Sequence, residues 1–174
     1  MSLTNIANLL KLYNGQKHLP HLIYLTDVKH LIDPTNIISR LPPKAGVIFR
    51  HYESPNRLDL AQKIKSICRD KSLTFIVGKD INLARKLDAD GLHLPEYLAI
   101  KPNFKFRAWK NKPNKIITAA AHSRNAIMKI KNLGFDASLV SPVFETKSHD
   151  DAKYLGVIRF QSMVSRLRMP IFAL

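Results

Sequence analysis

The sequence predicts an α/β fold, a (β/α)8-type TIM barrel that is incomplete, with about seven strands present. Three observations point there. Short runs rich in Ile, Val, Leu and Phe alternate with amphipathic helical patterns along the 174 residues. Repeated β-to-α alternation of this kind implies parallel strands joined by helical crossovers. An internal echo, LARKLDADGLHL against IMKIKNLGFDASLV, sets Asp90 and Asp136 each at the entry to a strand, 46 residues apart. That is about two βα units of a barrel of roughly 250 residues or somewhat fewer. Neither G-x-G-x-x-G nor G-x-x-x-x-G-K-[ST] follows any strand, so the alternative, a doubly wound open sheet, lacks its phosphate-binding signature.

The elements follow in order. Residues 1–20 read as an N-terminal helix and lead-in, with Leu3, Ile6, Leu9 and Leu10 at helical spacing. HLIYLTD (21–27) is the first strand, and Asp33-Pro34 starts a short helix stopped by Pro42-Pro43. AGVIFRHYE (45–53) is the second strand, followed by the helix PNRLDLAQKIKSICRDK (55–71) with proline near its first turn. LTFIVGK (73–79) leads into the helix INLARKLDA, and GLHL (91–94) is the fourth strand. KIITAAAH (115–122) precedes the helix SRNAIMKIKNLG, whose glycine suits the position after a helix C-cap. DASLVSPVF (136–144), a polar loop ETKSHDDAKYLG, the helix VIRFQSMVSRLR and the strand MPIFAL complete the order. The whole, residues 1–174, reads as a single barrel-like domain.

Composition sets bounds. No run of about 18 apolar residues is present, so no membrane span is expected. The N-terminus lacks a basic start, a long apolar block and a small-residue cleavage site, and the single Cys68 suits a reducing compartment, so a cytoplasmic location is expected. Cys68 falls in phase with Leu60, Ile64 and Ile67 and reads as a small buried hydrophobe. Twenty-eight Lys and Arg against thirteen Asp and Glu give +15, a field that attracts nucleic acid, anionic lipid and phosphorylated metabolites alike. In KPNFKFRAWKNKPNK (101–115) six basic residues interleave with Phe104, Phe106 and Trp109. Such a stretch can stack bases. The reading preferred here has the aromatics covering the barrel, since no recognised RNA- or DNA-binding motif is present.

In a barrel, chemistry sits where strands end and βα loops begin. The polar residues there are Asp27, Arg50, His51, Lys79, Asp80, Glu96, His122 and the Thr146–His149 loop. His122 follows three alanines, which leave room for a ligand, and an imidazole takes and returns a proton near neutral pH. The same histidine can equally bond a neighbouring loop or join Ser123 in capping the next helix. Arg50 offers paired donors for a carboxylate, or a surface ion pair. Thr146 and Ser148 suit an anion, or merely a polar loop. His93, inside GLHL, reads as structural. His18 and His21 lack the further ligands a metal needs.

LIYLTD, FIVGKDINLARKLDADGLHLPE, AAHSRNAIMKIKNLGFDASLVSPVFET and MPIFAL, in that order, resemble the thiamin phosphate synthase/TenI family of TIM barrels. The likeness runs from about residue 21 onward and is most specific at the ADGLHL block and the HS…SPVFET block. It implies one of two reactions. The synthase joins a pyrimidine diphosphate to a thiazole phosphate with Mg²⁺, releasing pyrophosphate; its TenI relatives isomerise a thiazole carboxylate phosphate by moving a proton, with no metal.

Carried residue by residue, the resemblance departs from the synthase pattern. Of a Gln-x-Arg-x-Lys motif at the second strand only Arg50 remains, in Ile48-Phe49-Arg50-His51-Tyr52. Gly78-Lys79 stand where an Asn-Asp pair would hold magnesium, with Asp80 next door. A second metal-binding Asp falls at about Leu98, with Glu96 the nearest carboxylate, and Ala120 replaces an expected serine. A Thr-Pro-Thr-Lys loop is represented by Thr146, Lys147, Ser148 and His149. Magnesium needs hard oxygen ligands, and a lysine in place of an aspartate removes one and adds repulsion.

The expectation is therefore a TenI-type tautomerase. His122 is its acid/base, Arg50 its carboxylate clamp, and Lys79, Thr146, Ser148 and His149 bind substrate, with no metal site. The synthase is one alternative, and a non-catalytic basic protein that binds phosphorylated ligands or RNA is the other. MPIFAL stops before the glycine pair and loop that the resemblance assigns to phosphate, and before an eighth strand. Either the open edges so implied are closed by the N-terminal helix or by a partner in a homodimer, or the expectation is a shortened, inactive relative.

Overall fold

Strands and helices alternate through the computed structural model, which describes residues 5, 18–27, 33–101, 106, 108, 109, 111–145 and 154–174. The chain divides into two compact units, Met1–His93 with Lys112–Ile116, and Leu94–Asn111 with Ile117–Leu174.

In the first unit β1 (Ile23–Leu25), β2 (Gly46–Phe49), β3 (Thr74–Gly78) and β4 (Gly91–Leu94, its last residue counted with the second unit) pair in chain order, all parallel. Ile48 lies opposite Leu25 and Ile76, and Gly78 opposite His93. Every residue of β2 and β4 is buried, as in a parallel strand covered on both faces. The crossovers carry α1 (Thr35–Ser39), α2 (Arg57–Asp70) and α3 (Ile81–Lys86). Ala61, Ile64 and Cys68 form the buried stripe of α2. Burial, with a smaller contribution from Asp90, pushes the Cys68 thiol up to about 12, the character of an inert core cysteine.

The second unit contains α4 (Glu96–Ala99), β5 (Ile116–Ala121, from Ile117 onward), α5 (Arg124–Asn132), β6 (Ala137–Val140), α6 (Gly156–Val164) and β7 (Ile171–Ala173). β5, β6 and β7 are parallel neighbours. Ser123 caps α5 by accepting the Ala126 N–H at 3.1 Å. At its other end Gly134 takes φ +74°; its N–H donates to Lys131 O at 2.8 Å and that of Phe135 to Ile130 O at 3.3 Å. Those two bonds make a Schellman ending, which the glycine read from the sequence permits without strain. The Arg124 guanidinium donates to the carbonyls of Ser162, Met163 and Ser165 at the C-terminal end of α6, where a helix runs out of its own amide donors.

The internal echo has a physical cause. Asp90 Oδ2 accepts the N–H of Phe75 at 2.8 Å, near the start of β3. Asp136 Oδ2 accepts the N–H of Ile117 at 2.7 Å, near the start of β5. Each aspartate enters one strand while its carboxylate satisfies the neighbouring strand's first free amide. Asp90→Ala and Asp136→Ala should each lower unfolding free energy by about 1–3 kcal/mol, the cost of stranding a part-buried N–H, and Asn should recover part of it. Urea denaturation of the four variants checks this; an alanine variant as stable as wild type refutes it.

The fold class agrees with the expected α/β barrel type: seven strands stand among the described residues, parallel to their neighbours within each unit. Boundaries differ. β1 is three residues long, β2 stops at Phe49 and β6 at Val140, before Ser141-Pro142, where proline offers no N–H to a ladder. α3 stops at Lys86, not at Ala89, because Asp88 turns to φ +44°. The short α4 was not expected. Trp109 is buried, in line with the packing reading of residues 101–115, whereas Phe104 lies outside the described residues. Apart from Asn5, the expected N-terminal helix also lies outside them. Among the described residues no helix is long and apolar enough to cross a membrane.

Candidate active site

In the first unit the C-terminal ends of β2 and β3 gather positive charge. The N–H of Arg50 donates to Thr26 Oγ1 at 2.9 Å, and that oxygen lies 2.8 Å from His51 Nδ1. His51 is buried and stacked on Phe49 at 5.4 Å, so this histidine is committed to packing. The half-buried Arg50 guanidinium has no carboxylate partner among the described residues. Near it, burial and then the Arg50 charge push His93 down to about 3, so its ring is neutral.

β3 ends in Gly78-Lys79-Asp80. A Cβ at residue 78 would come within 2.8 Å of Tyr52 Oη and 3.0 Å of Phe49 O, so the tyrosine occupies the space a side chain there would need. Lys79 takes φ +66°. Its N–H donates to His93 O at 2.7 Å, and the next N–H, of Asp80, to Gly78 O at 2.7 Å. Asp80 is the N-cap of α3: Oδ1 accepts the N–H groups of Asn82 and Leu83, both at 3.0 Å. Its Oδ2 accepts from Arg57 Nη1 at 2.7 Å. The Arg57 guanidinium also lies 5.5 Å from the Phe49 ring centre and 5.7 Å from that of Tyr52.

In the second unit His122 stands directly after Ala119, Ala120 and Ala121, at the end of β5, and is exposed. Its backbone N–H donates to Glu96 Oε2 at 2.7 Å, from the first turn of α4. Its Nδ1 lies 2.7 Å from the Ser141 carbonyl at the end of β6. A carbonyl only accepts, so Nδ1 carries the proton and the neutral ring keeps its lone pair on Nε2. The capping role belongs to Ser123, not to His122. The imidazole is thus held by one nitrogen and offers the other.

The donor set does not fit the Mg²⁺ that a synthase implies. Asp80 has both oxygens engaged, in the cap and with Arg57. Glu96 accepts the His122 amide N–H through Oε2. Among the described residues no three His, Cys, Asp or Glu side chains come together. Of the expected site residues, Arg50 and Lys79 are placed in the first unit and His122 in the second. Thr146, Ser148 and His149 lie outside the described residues. Sequence reasoning missed Tyr52 and Arg57 as members of the β2–β3 cluster; no local motif marks them.

The family model described as thiamine monophosphate synthase matches residues 44–174. Thiamine-phosphate synthase of Oceanobacillus iheyensis is 30% identical over 128 residues, covering 70% of this chain and 60% of the relative. Thiamine-phosphate synthase 1 of Streptococcus pneumoniae is 35% identical over 111 residues, or 64% of this chain and 50% of the relative. The chain thus spans half to three-fifths of the length of these two. A solved structure of thiamine phosphate pyrophosphorylase from Pyrococcus furiosus shares the fold, with a TM-score of 0.70 over 92% of this chain and 77% of that one, at 21% identity. A match that covers most of the sequence, on a scaffold of the same architecture, decides the relationship: the chain belongs to the thiamine monophosphate synthase family.

Proposed function

We propose that this cytoplasmic protein isomerises a thiazole phosphate by proton transfer, in the manner of the TenI branch. The observation that carries the reading is His122, with Nδ1–H tied to the Ser141 carbonyl and Nε2 left to exchange protons. Nε2 takes a proton from one atom of the thiazole and the resulting imidazolium returns it to another. Nothing is oxidised and no bond to a leaving group breaks, so no metal is required. Arg50 pairs with the substrate carboxylate, since its guanidinium has no carboxylate partner among the described residues. Lys79, Thr146, Ser148 and His149 bind the phosphate.

The printed names of the relatives favour a second reading, the joining of a pyrimidine diphosphate to a thiazole phosphate with release of pyrophosphate. The engagement of both Asp80 oxygens counts against it. Incubating the protein with thiazole carboxylate phosphate alone, and with thiazole phosphate, pyrimidine diphosphate and Mg²⁺, separates the two. Isomerised thiazole in the first mixture supports the proton-transfer reading. Coupled product in the second alone overturns it.

A further inference from the structure

We infer that the polar cleft between α2 and the end of α3, in the first unit, is a second binding site that takes the phosphoryl group of a small molecule. The cleft has a volume of about 310 Å³, and Gln62, Lys65, Ser66, Arg69, Lys86 and Asp88 stand in its wall. Small-molecule sites occupy roughly 300–1,000 Å³, so the space suits one compact solute. Its place follows from the alternation of the chain. α2 ends at Asp70, shortly before β3 begins at Thr74, and α3 ends at Lys86, shortly before β4 begins at Gly91. The cleft therefore lies by the N-terminal ends of these strands, opposite to the ends that carry Arg50 and Lys79.

Helical spacing builds one wall. Gln62, Lys65, Ser66 and Arg69 fall at i, i+3, i+4 and i+7 of α2, a polar stripe beside the buried stripe of Ala61, Ile64 and Cys68. Lys65 Nζ donates to the Leu87 carbonyl and so answers the open end of α3. Arg69 meets Asp70 Oδ1 at 3.2 Å and donates to Ser66 Oγ at 3.3 Å. Lys86 has no carboxylate partner among the described residues. From the segment before β5, Lys115 Nζ meets Asp88 Oδ1 at 2.7 Å. That bond first, and then the charges of Lys65 and Lys112, hold the Asp88 carboxyl below its ordinary value. Lys65, Arg69, Lys86, Lys112 and Lys115 thus meet only Asp70 and Asp88, both already paired. Complementing the helix dipoles explains Arg69 and Lys86. It does not bring Lys112 and Lys115 there, nor does it leave a space between the helices. A phosphoryl group supplies the double negative charge and the acceptor oxygens that match this surplus and the Gln62 and Ser66 donors. Among the described residues no aromatic ring lines the cleft, so it lacks the stacking platform of a single-stranded nucleic-acid groove. The source is either free phosphate or a phosphate monoester.

The inference is independent of the proposed reaction, and its test reads binding, not turnover. Inorganic phosphate and glycerol phosphate are titrated calorimetrically, in EDTA, into the full chain and into the variant Arg50→Ala/Lys79→Ala, which lacks the strand-end cations. Saturable binding that survives in this variant is expected. Adding Arg69→Gln and Lys86→Gln to it should weaken binding by about tenfold or more. Both side chains are exposed, so the circular dichroism melt should not move. Lys86→Gln alone, which breaks no ion pair among the described residues, should weaken binding about threefold. Tighter binding of the ester identifies an organic phosphate as the ligand, and equal or tighter binding of phosphate identifies the free ion. A labelled single-stranded RNA is the third probe. RNA binding removed by the same substitutions, with no binding of either phosphate, would make the cleft part of a nucleic-acid surface and overturn the site. No binding of any probe, binding lost with Arg50 and Lys79, or binding unchanged by Arg69→Gln and Lys86→Gln would each overturn it as well.

Discussion

If the proposed proton transfer holds, replacing His122 by Gln should lower thiazole isomerisation by about 10²–10⁴-fold, the range of one general acid–base group, with the fold unchanged. The size follows from having one titratable group in the proposed step. Glutamine can still donate to the Ser141 carbonyl but has no basic nitrogen. The stability cost is small because the lost ring is exposed and, among the described residues, makes a single side-chain bond, to Ser141 O, worth about 1 kcal/mol or less. His122→Ala should match the loss of rate and also lose the Ser141 bond. Glu96→Gln is the companion variant. It keeps an acceptor for the His122 amide and removes the charge, so turnover should survive in it. Steady-state rates with circular dichroism melts for the three variants decide the matter. Turnover within a factor of two of wild type in His122→Gln would place the acid/base elsewhere.

Much of this was legible in the chain, and the limits of what was legible are themselves physical. The pairing of Asp90 with Asp136 was visible as a repeat because both precede a strand. Its reason was not, since each carboxylate bonds an amide 15 or 19 residues earlier in the sequence. Asp80 shows the opposite failure. Read as a spare carboxylate beside a missing metal ligand, it is an N-cap, and Asp directly before the helix INLARK carries that signature locally. The exchange between Tyr52 and Gly78 joins residues 26 apart, one in the turn after β2 and the other at the end of β3, and neither type is unusual where it stands. His122 was identifiable by its place after three alanines. Which nitrogen it offers depends on a carbonyl 19 residues further on, at the end of another strand. Local pattern thus reported elements and polar strand ends. Commitment of each polar atom required the strands to be side by side.

Acid should unfold this protein earlier than its carboxylates alone would, through His93. The ring is buried at the end of β4, and burial first, then the Arg50 charge, holds it down to about 3. In the unfolded chain it titrates at the ordinary histidine value of about 6.5. Between those values the unfolded state binds a proton that the native state refuses, so stability rises with pH across the window and falls as acid is added. One proton per molecule gives a slope of about 1.4 kcal/mol per pH unit, or roughly 2 kcal/mol lost between pH 6.5 and 5. Asp33, held down to about 2 by its bonds with Thr35 and Lys63, weakens the fold only below the ordinary carboxylate range, so the two contributions separate on the pH axis. Urea unfolding at half-unit steps from pH 7.5 to 4.5 should show the slope in wild type and lose it in His93→Gln, whatever the absolute stability of that variant. Arg50→Ala should recover only the smaller part, because burial is the larger cause. A wild-type slope retained in His93→Gln would mean that another group carries the acid sensitivity and that His93 accepts its proton inside the fold.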